Sequence, residues 1–259
     1  MAEVTFVVTV GTSILSNAGS RLGDPFLKEL ATISPEDPRQ SEVEKVDVER
    51  LVNFAVAEPE RCCAELNTFV KFIKKWPHLI SKCRAVFYTS DTNNGRLAAR
   101  AVSKAWHAVA QQFRINCEVD VREIHGLGRD FTQSLAELAA QLVREVKCER
   151  ARGRLVYVVA TGGFKPESTF AVLSAYLAGA TGVLYIHESF RDLVELGPLP
   201  LKLSDDLVKY AKGLIDEYTL ANKLGLDVHH LEDVGLFAPD RRLAPHLMRL
   251  IEALESQCS

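Results

Sequence analysis

A three-layer α/β fold, with a mostly parallel sheet between two helical layers and a small helical appendage, is predicted by three features of the sequence. Apolar strand-like runs alternate with amphipathic helical segments over the first three quarters of the chain. Several of these runs end in short polar turns: Gly11-Thr12-Ser13, Asn93-Asn94-Gly95-Arg96 and Thr161-Gly162-Gly163-Phe164-Lys165. After Ile186 the composition shifts to short helical pieces broken by Gly and Pro. Right-handed crossovers bring such turns to the carboxyl edge of one sheet, where open α/β sheets bind ligands.

Residues 3–10 are apolar almost throughout and read as a central strand covered on both faces. Ser13-Ile14-Leu15 opens a short helix or a loop. Residues 17–47 hold Gly19, Gly23, Pro25, Pro35 and Pro38 among charges, which predicts an irregular insertion with one helical piece over 26–30. An insertion of that length is usually functional or mobile. Helical spacing returns over 48–54 and, through Cys63, Leu66, Phe69, Val70 and Ile73, over 59–75, ending by Trp76-Pro77. Strands are predicted at 85–89, 116–124, 155–160 and 183–186, with helices at 96–113, 130–147 and 166–178 between them. Pro166 suits a first helical position because its missing amide hydrogen is not needed there. The chain divides into residues 1–196, a Rossmann-like domain, and residues 201–259, a helical or winged-helix-like appendage with helices at 205–218 and 219–224, a helical segment at 228–234 and a terminal helix ending near Leu254.

The 259 residues are 47% hydrophobic and 25% charged, as in ordinary soluble proteins, and the net charge of −3 argues against broad nucleic-acid binding. A small anionic ligand remains compatible, because local donors matter there more than the total. No run is long and apolar enough for a membrane span and the sequence opens directly on a strand, so a cytoplasmic location is expected. Cys62, Cys63, Cys83, Cys117, Cys148 and Cys258 show no CxxC spacing and are expected to be buried free thiols. The seven histidines form no HExxH pattern, so neither metal nor cofactor is called for.

Neither glycine turn is a Walker A or a Gly-x-Gly-x-x-Gly sequence, and Ser13 has no Gly-x-Ser-x-Gly setting. What remains is a set of groups suited to phosphate. Gly11, Gly162 and Gly163 let backbone amides approach an anion, Thr12 and Ser13 add hydroxyls, and Lys165 adds a point charge. Spacing alone leaves a second reading open, in which the glycines only turn the chain and Lys165 is a surface side chain.

Three stretches resemble the CRISPR-associated Rossmann-fold (CARF) sensors of cyclic oligoadenylate, in the branch of Csm6/Csx1-type proteins and standalone ring nucleases. They are the strand into Gly11-Thr12-Ser13, the run Ala160-Thr161-Gly162-Gly163-Phe164-Lys165-Pro166-Glu167, and Leu184-Tyr185-Ile186-His187-Glu188-Ser189-Phe190 followed by Leu196-Gly197-Pro198-Leu199-Pro200. The resemblance covers about residues 3–200. It implies a homodimer that shares one cyclic oligoadenylate, cyclic tetra-adenylate in the leading reading, and a metal-independent ring nuclease in which Ser13 and Lys165 are catalytic. On this reading Gly11, Thr12, Thr161, Gly162, Gly163 and Phe164 hold phosphate. Asn17, Asn93, Asn94, Gly95 and Arg96 flank the bases, and Arg129 clamps a phosphate. For Glu188 a cap or interface role is favoured over catalysis. Many relatives carry a HEPN ribonuclease with an Arg-x4-to-6-His motif; neither Arg191 nor any later arginine is read as beginning that spacing and the tail is short, so no tail ribonuclease is expected. The alternatives are a ligand-responsive transcription regulator with DNA read by the appendage, which the lack of a basic recognition helix disfavours, and a non-catalytic sensor.

Overall fold

The computed structural model describes residues 1–163, 165–186 and 192–258. Phe164, the His187-Glu188-Ser189-Phe190 run with Arg191, and Ser259 lie outside the described residues. One six-stranded sheet forms the centre: β1 Ala2–Thr9, β2 Ile80–Ser90, β3 Cys117–Ile124, β4 Leu155–Val159, β5 Gly182–Ile186 and β6 Leu193–Leu196. Its order is β3-β2-β1-β4-β5-β6, parallel throughout except that β6 runs antiparallel to β5. Alternation along β1 explains its burial on both sides. Val4, Phe6 and Val8 enter one core, whereas Val7 enters the other and Thr5 donates to buried Glu149 at 2.6 Å.

The first core is covered by α1 Ser13–Arg21, α2 Pro25–Leu30, α3 Val48–Ala57, α4 Pro59–Cys62, α5 Ala64–Lys75 and α6 Asn93–Gln112. Phe6, Phe69, Phe72, Phe87 and Trp106 pack there edge to face or stacked, with Phe69 and Trp106 centroids 3.9 Å apart. The second core lies under α7 Phe131–Ala151 and α8 Lys165–Leu177. The connections from β1 and β4 thus leave toward opposite faces, and because these strands are neighbours, the switch point falls between them.

The C-terminal residues form α9 Asp205–Ala211, α10 Glu217–Leu224, a 3₁₀ turn Val228–His230, a short bridge between Phe237 and Leu243, and α11 Pro245–Glu255. Leu207, Leu220, Leu231, Phe237, Leu243 and Ile251 make a small core of their own. α11 also docks on α7: Ala253 packs with Ala140 and Val143, and Lys147 Nζ donates to Ser256 O at 2.6 Å.

Several expectations are corrected here. The insertion holds the expected helical piece as α2 and, beyond that expectation, a 3₁₀ helix Pro38–Lys45, and it is held by Asn94 Nδ2 donating to Leu30 O and Asn93 Nδ2 to Gln40 O. The helix expected over 59–75 is broken at Cys63, whose φ of −162° and ψ of 162° are extended. The helix expected over 205–218 ends at Ala211, and β6 is a strand that the sequence reading did not foresee. Four of the six cysteines are not free thiols. Cys83–Cys117 joins opposed positions of β2 and β3, and Cys148–Cys258 ties the chain end to α7, while Cys62 and Cys63 are free and buried. Strand register and helix docking, not local spacing, bring those sulfurs together. Among the described residues no helix is long and apolar enough to cross a membrane.

Candidate ligand site at the sheet switch point

The ends of β1 and β4 bring Gly11 and Gly162-Gly163 into van der Waals contact. A Cβ on Gly11 would stand 2.8 Å from Gly163 N, and one on Gly162 would stand 2.5 Å from both Gly11 N and Thr9 O. Thr9 Oγ1 donates to Gly162 O at 2.9 Å, and Gly163 takes a φ of +90° that favours glycine. The two turns foreseen as neighbours do meet.

Beneath them lies Glu65, fully buried in the first turn of α5. Its Oε1 accepts from Gly11 N–H at 2.9 Å and would collide with a Cβ on Gly162, while Oε2 has no partner among the described residues. Burial pushes its carboxyl pKa up, because a charge there would be stripped of water.

A cavity of about 440 Å³ opens beside the turns, bordered by Asn17, Arg61, Asn67, Thr161, Gly163, Lys165 and Tyr185, and by Glu60, whose charge is paired with Lys74. Three helix starts lie at this edge. α5 begins here because the chain breaks at Cys63; Cys62 O, freed by the break, accepts from Asn17 Nδ2 at 2.9 Å, and no side chain caps the new helix. α1 is uncapped as well, since Thr12 Oγ1 donates to Ala31 O at 2.8 Å instead. α8 begins with Lys165. Uncapped amides at helix starts, with cations beside them, attract anions. Lys165 forms no ion pair among the described residues, and Arg61 has only a loose one to Glu58 at 3.8 Å. Thr161 Oγ1 and Asn67 Oδ1 are buried at the cavity and lack partners among the described residues.

The foreseen residues divide into two groups. Asn17, Thr161, Gly163 and Lys165 border the cavity, with Gly162 behind it and Ser13 two residues past Gly11 at the start of α1, half-buried, its hydroxyl bonded to no described residue. Gly11 and Thr12 spend their donors on Glu65 and Ala31. The Asn93-Asn94-Gly95-Arg96 turn does not border the cavity: Asn93 and Asn94 hold the insertion, Gly95 N–H is taken by Thr92 Oγ1 and Asn94 Oδ1, and Arg96 pairs with Glu123 at 2.8 Å. Arg129 is paired with Glu36 at 2.8 Å and Asp91 at 3.3 Å. Phe164 lies outside the described residues. Sequence reading missed Arg61, Glu65, Asn67 and Tyr185. The signal for one of them was present: Glu65 lies among Leu66, Phe69, Phe72 and Ile73 on the apolar face of its helix, whereas Asn67 falls on the side of Lys71 and Lys74.

The expectation that no later arginine begins an Arg-x4-His spacing is corrected by Arg241 and His246. Arg241 sits in the turn before α11 with a φ of 61° and a 3.5 Å contact to Glu217, and burial lowers the pKa of His246 in the first turn of α11. Among the described residues no group of three or more His, Cys, Asp or Glu side chains is placed to hold a metal ion.

Solved structures and a family model match this chain. The structure of Can2 from Sulfobacillus thermosulfidooxidans in complex with cyclic tetra-adenylate matches 97% of this chain at 10% identity and a TM-score of 0.32, a similarity too low to carry an argument. This chain spans 63% of that one's length. Residues 60–199, more than half of the chain and including β2 through β6, α5 and the Gly162-Gly163 turn, match the model of the CRISPR-associated protein (Cas_APE2256) family, and the chain belongs to that family.

Proposed function

We propose that the switch-point cavity binds a cyclic oligoadenylate and that the protein is a ring nuclease that cuts it. The observation that carries this reading is the convergence of the uncapped start of α5, unpaired polar groups and the Lys165 and Arg61 cations on one cavity beside two touching glycine turns. These are features for a phosphate-rich ligand with polar bases. Membership of a CRISPR-associated family supports a signalling nucleotide over a metabolite.

RNA carries its own nucleophile. The ribose 2′-oxygen bonds to the adjacent phosphorus, the P–O5′ bond breaks, and the 2′ proton ends on the departing 5′-oxygen, giving a 2′,3′-cyclic phosphate and a 5′-hydroxyl. The protein has to align that oxygen with the leaving group and stabilise the added negative charge. In this mechanism Lys165 neutralises the phosphorane and Ser13 positions the 2′-hydroxyl or a phosphate oxygen. No metal enters any step. A cavity of about 440 Å³ is too small for a ring of four nucleotides, which favours a homodimer whose two switch points share cyclic tetra-adenylate across a two-fold axis. In this assignment residues 1–196 are the sensor and residues 201–259 a separate appendage.

Purified protein is to be incubated with cyclic tri-, tetra- and hexa-adenylate in excess EDTA, with products resolved over time. The expected result is multiple-turnover cleavage of the tetra-adenylate to linear fragments with cyclic-phosphate ends. Lys165→Ala should cut at least about a hundredfold more slowly, the scale of losing one charge-stabilising donor, with an unchanged melting temperature. Full turnover in that variant would remove Lys165 from the mechanism. A second reading, a ligand-responsive DNA-binding regulator, is favoured by one observation: the Phe237–Leu243 bridge beside α9, α10 and α11 makes a short wing with Arg241 and Arg242 in its turn. Tight ring binding without turnover, together with ring-dependent DNA binding, would select it. A linear RNA substrate, with His246→Ala as control, tests the tail for ribonuclease activity.

A further inference from the structure

We propose that β3 is a self-association strand: it pairs antiparallel with β3 of a second copy, centred on Val121, and joins two sheets into one. The inference stands apart from the reading of the cavity, which lies where β1 and β4 end, with β2 in between. β3 is the last strand of the sheet and pairs with β2 alone among the described residues. The N–H and C=O of one strand residue point to the same side, and the side alternates along the strand. Asn116 O accepts from Cys83 N–H at 2.9 Å, so even-numbered residues of β3 turn these groups to β2 and odd-numbered ones turn them outward. Cys117 O, the first outward carbonyl, is taken by His107 Nδ1 at 2.8 Å. Val119, Val121 and Glu123 follow as a row of outward amides and carbonyls.

Proteins that keep an edge strand single blunt it with Pro, a bulge, a covering element or charge. β3 contains no Pro, its register with β2 is unbroken over eight residues, and Val119 and Val121 are 38% and 36% exposed. Its charges are the remaining guard, and they match a second copy of themselves. With a two-fold axis at Val121, that residue lies opposite itself, Asp120 lies opposite the other copy's Arg122, and Val119 lies opposite the other copy's Glu123. Every outward residue of this row then exchanges both backbone hydrogen bonds. No like charges stand opposite, because Glu118 meets Ile124. Sliding the pair by two residues sets Asp120 against Asp120 or Arg122 against Arg122, which is destabilising, and sliding by one sets outward groups against inward ones. Cys117 belongs to the first core and Ile124 to the second, so the valines meet on the α6 side and the charges on the α7 side. There Arg122 already bonds Asp120 at 3.2 Å and Glu145 at 2.7 Å, and the pairing extends that network. This self-complementarity selects a second copy over an unrelated strand.

The test uses the full chain without any ring. Single cysteines are placed on β3 and oxidised with diamide at micromolar protein, and products are resolved on a non-reducing gel. Val121→Cys should cross-link into a dimer, since directly opposed Cα atoms about 5.5 Å apart suit a disulfide. Val119→Cys, equally exposed but about 13 Å along the strand from its own counterpart, should stay single alone and cross-link when mixed with Glu123→Cys. In sedimentation, Asp120→Arg, which sets Arg against Arg122, should weaken the association about tenfold. Val121→Pro, which removes an outward amide that the protomer does not use, should abolish it and replaces the charge variant if that one does not fold. A dimer formed through the switch points instead would be indifferent to these substitutions. A Val121→Cys protein that cross-links no better than Val119→Cys, or disruptive variants that associate as tightly as the wild type, overturns the proposal and leaves the reading of the cavity untouched.

Discussion

Two side chains at the switch point stand where their charge is disfavoured. Lys165 opens α8, where the helix dipole opposes a cation, and Glu65 is an acid with no exposure and only one of its oxygens paired. A bound phosphate would offset the first, and protonation would offset the second. Burial raises the Glu65 pKa in the folded protein, so folding holds a proton that the unfolded chain releases near pH 4. Its contribution to stability is therefore complete below the unfolded pKa and is lost as pH rises through the folded one. The neighbouring Cys63 thiol, also pushed up by burial, stays neutral over the same range. Glu65→Gln, fixed in the neutral form, should melt close to the wild type at pH 4 and above it at pH 8, by about 2–4 °C for each kcal/mol relieved. Thermal melts across that range check this. A variant that melts below the wild type at pH 8 would mean that Glu65 works as a carboxylate.

At the scale of elements, the site depends on how closely two strand ends approach. Gly162 has no room for a side chain between Glu65, Thr9 O and Gly11 N, whereas Gly197 has open space around it. Gly162→Ala should therefore cost about 1–3 kcal/mol by overpacking and weaken ring binding, with Gly197→Ala near neutral; guanidinium unfolding and ligand titration read the two effects separately. The strands and glycine turns that make this approach were legible in the sequence, because apolar runs ending in Gly are local signals. The start of α5 was not. The apolar spacing of Leu66, Phe69, Val70 and Ile73 runs smoothly past Cys63, and the break depends on Asn17 from another helix accepting the role of partner to Cys62 O. Arg61, Glu65 and Asn67 reach the site only because of that break, which is why a reading based on periodicity assigned them to an ordinary amphipathic helix.

At the scale of the whole molecule, stability and ligand binding occupy opposite edges of the sheet. Parallel strands place the glycine turns, Lys165 and Asn67 at the carboxyl edge. Cys83 and Cys117 lie near the starts of β2 and β3, and Cys148 near the end of the returning helix α7, so both disulfides fall at the amino edge. The sequence showed the parallel order through its strand and helix alternation, but it did not show these bridges, since their partners are 34 and 110 residues apart and meet only through register and through the docking of α11. Loops of those lengths constrain the unfolded chain by up to about 4 and 5 kcal/mol in the chain-entropy account, and less where the reduced chain keeps structure. Reduction, or the pair Cys117→Ser and Cys258→Ser, should accordingly lower the guanidinium midpoint by several kcal/mol of stability while leaving ring affinity within about twofold of the oxidised protein at low denaturant. The α11 contact survives loss of the second bridge through Ala253 against Ala140 and Val143 and through Lys147, so the chain end should stay docked. A parallel fall in ring affinity and stability would show instead that the amino edge holds the switch point in register, and that the two edges act as one unit.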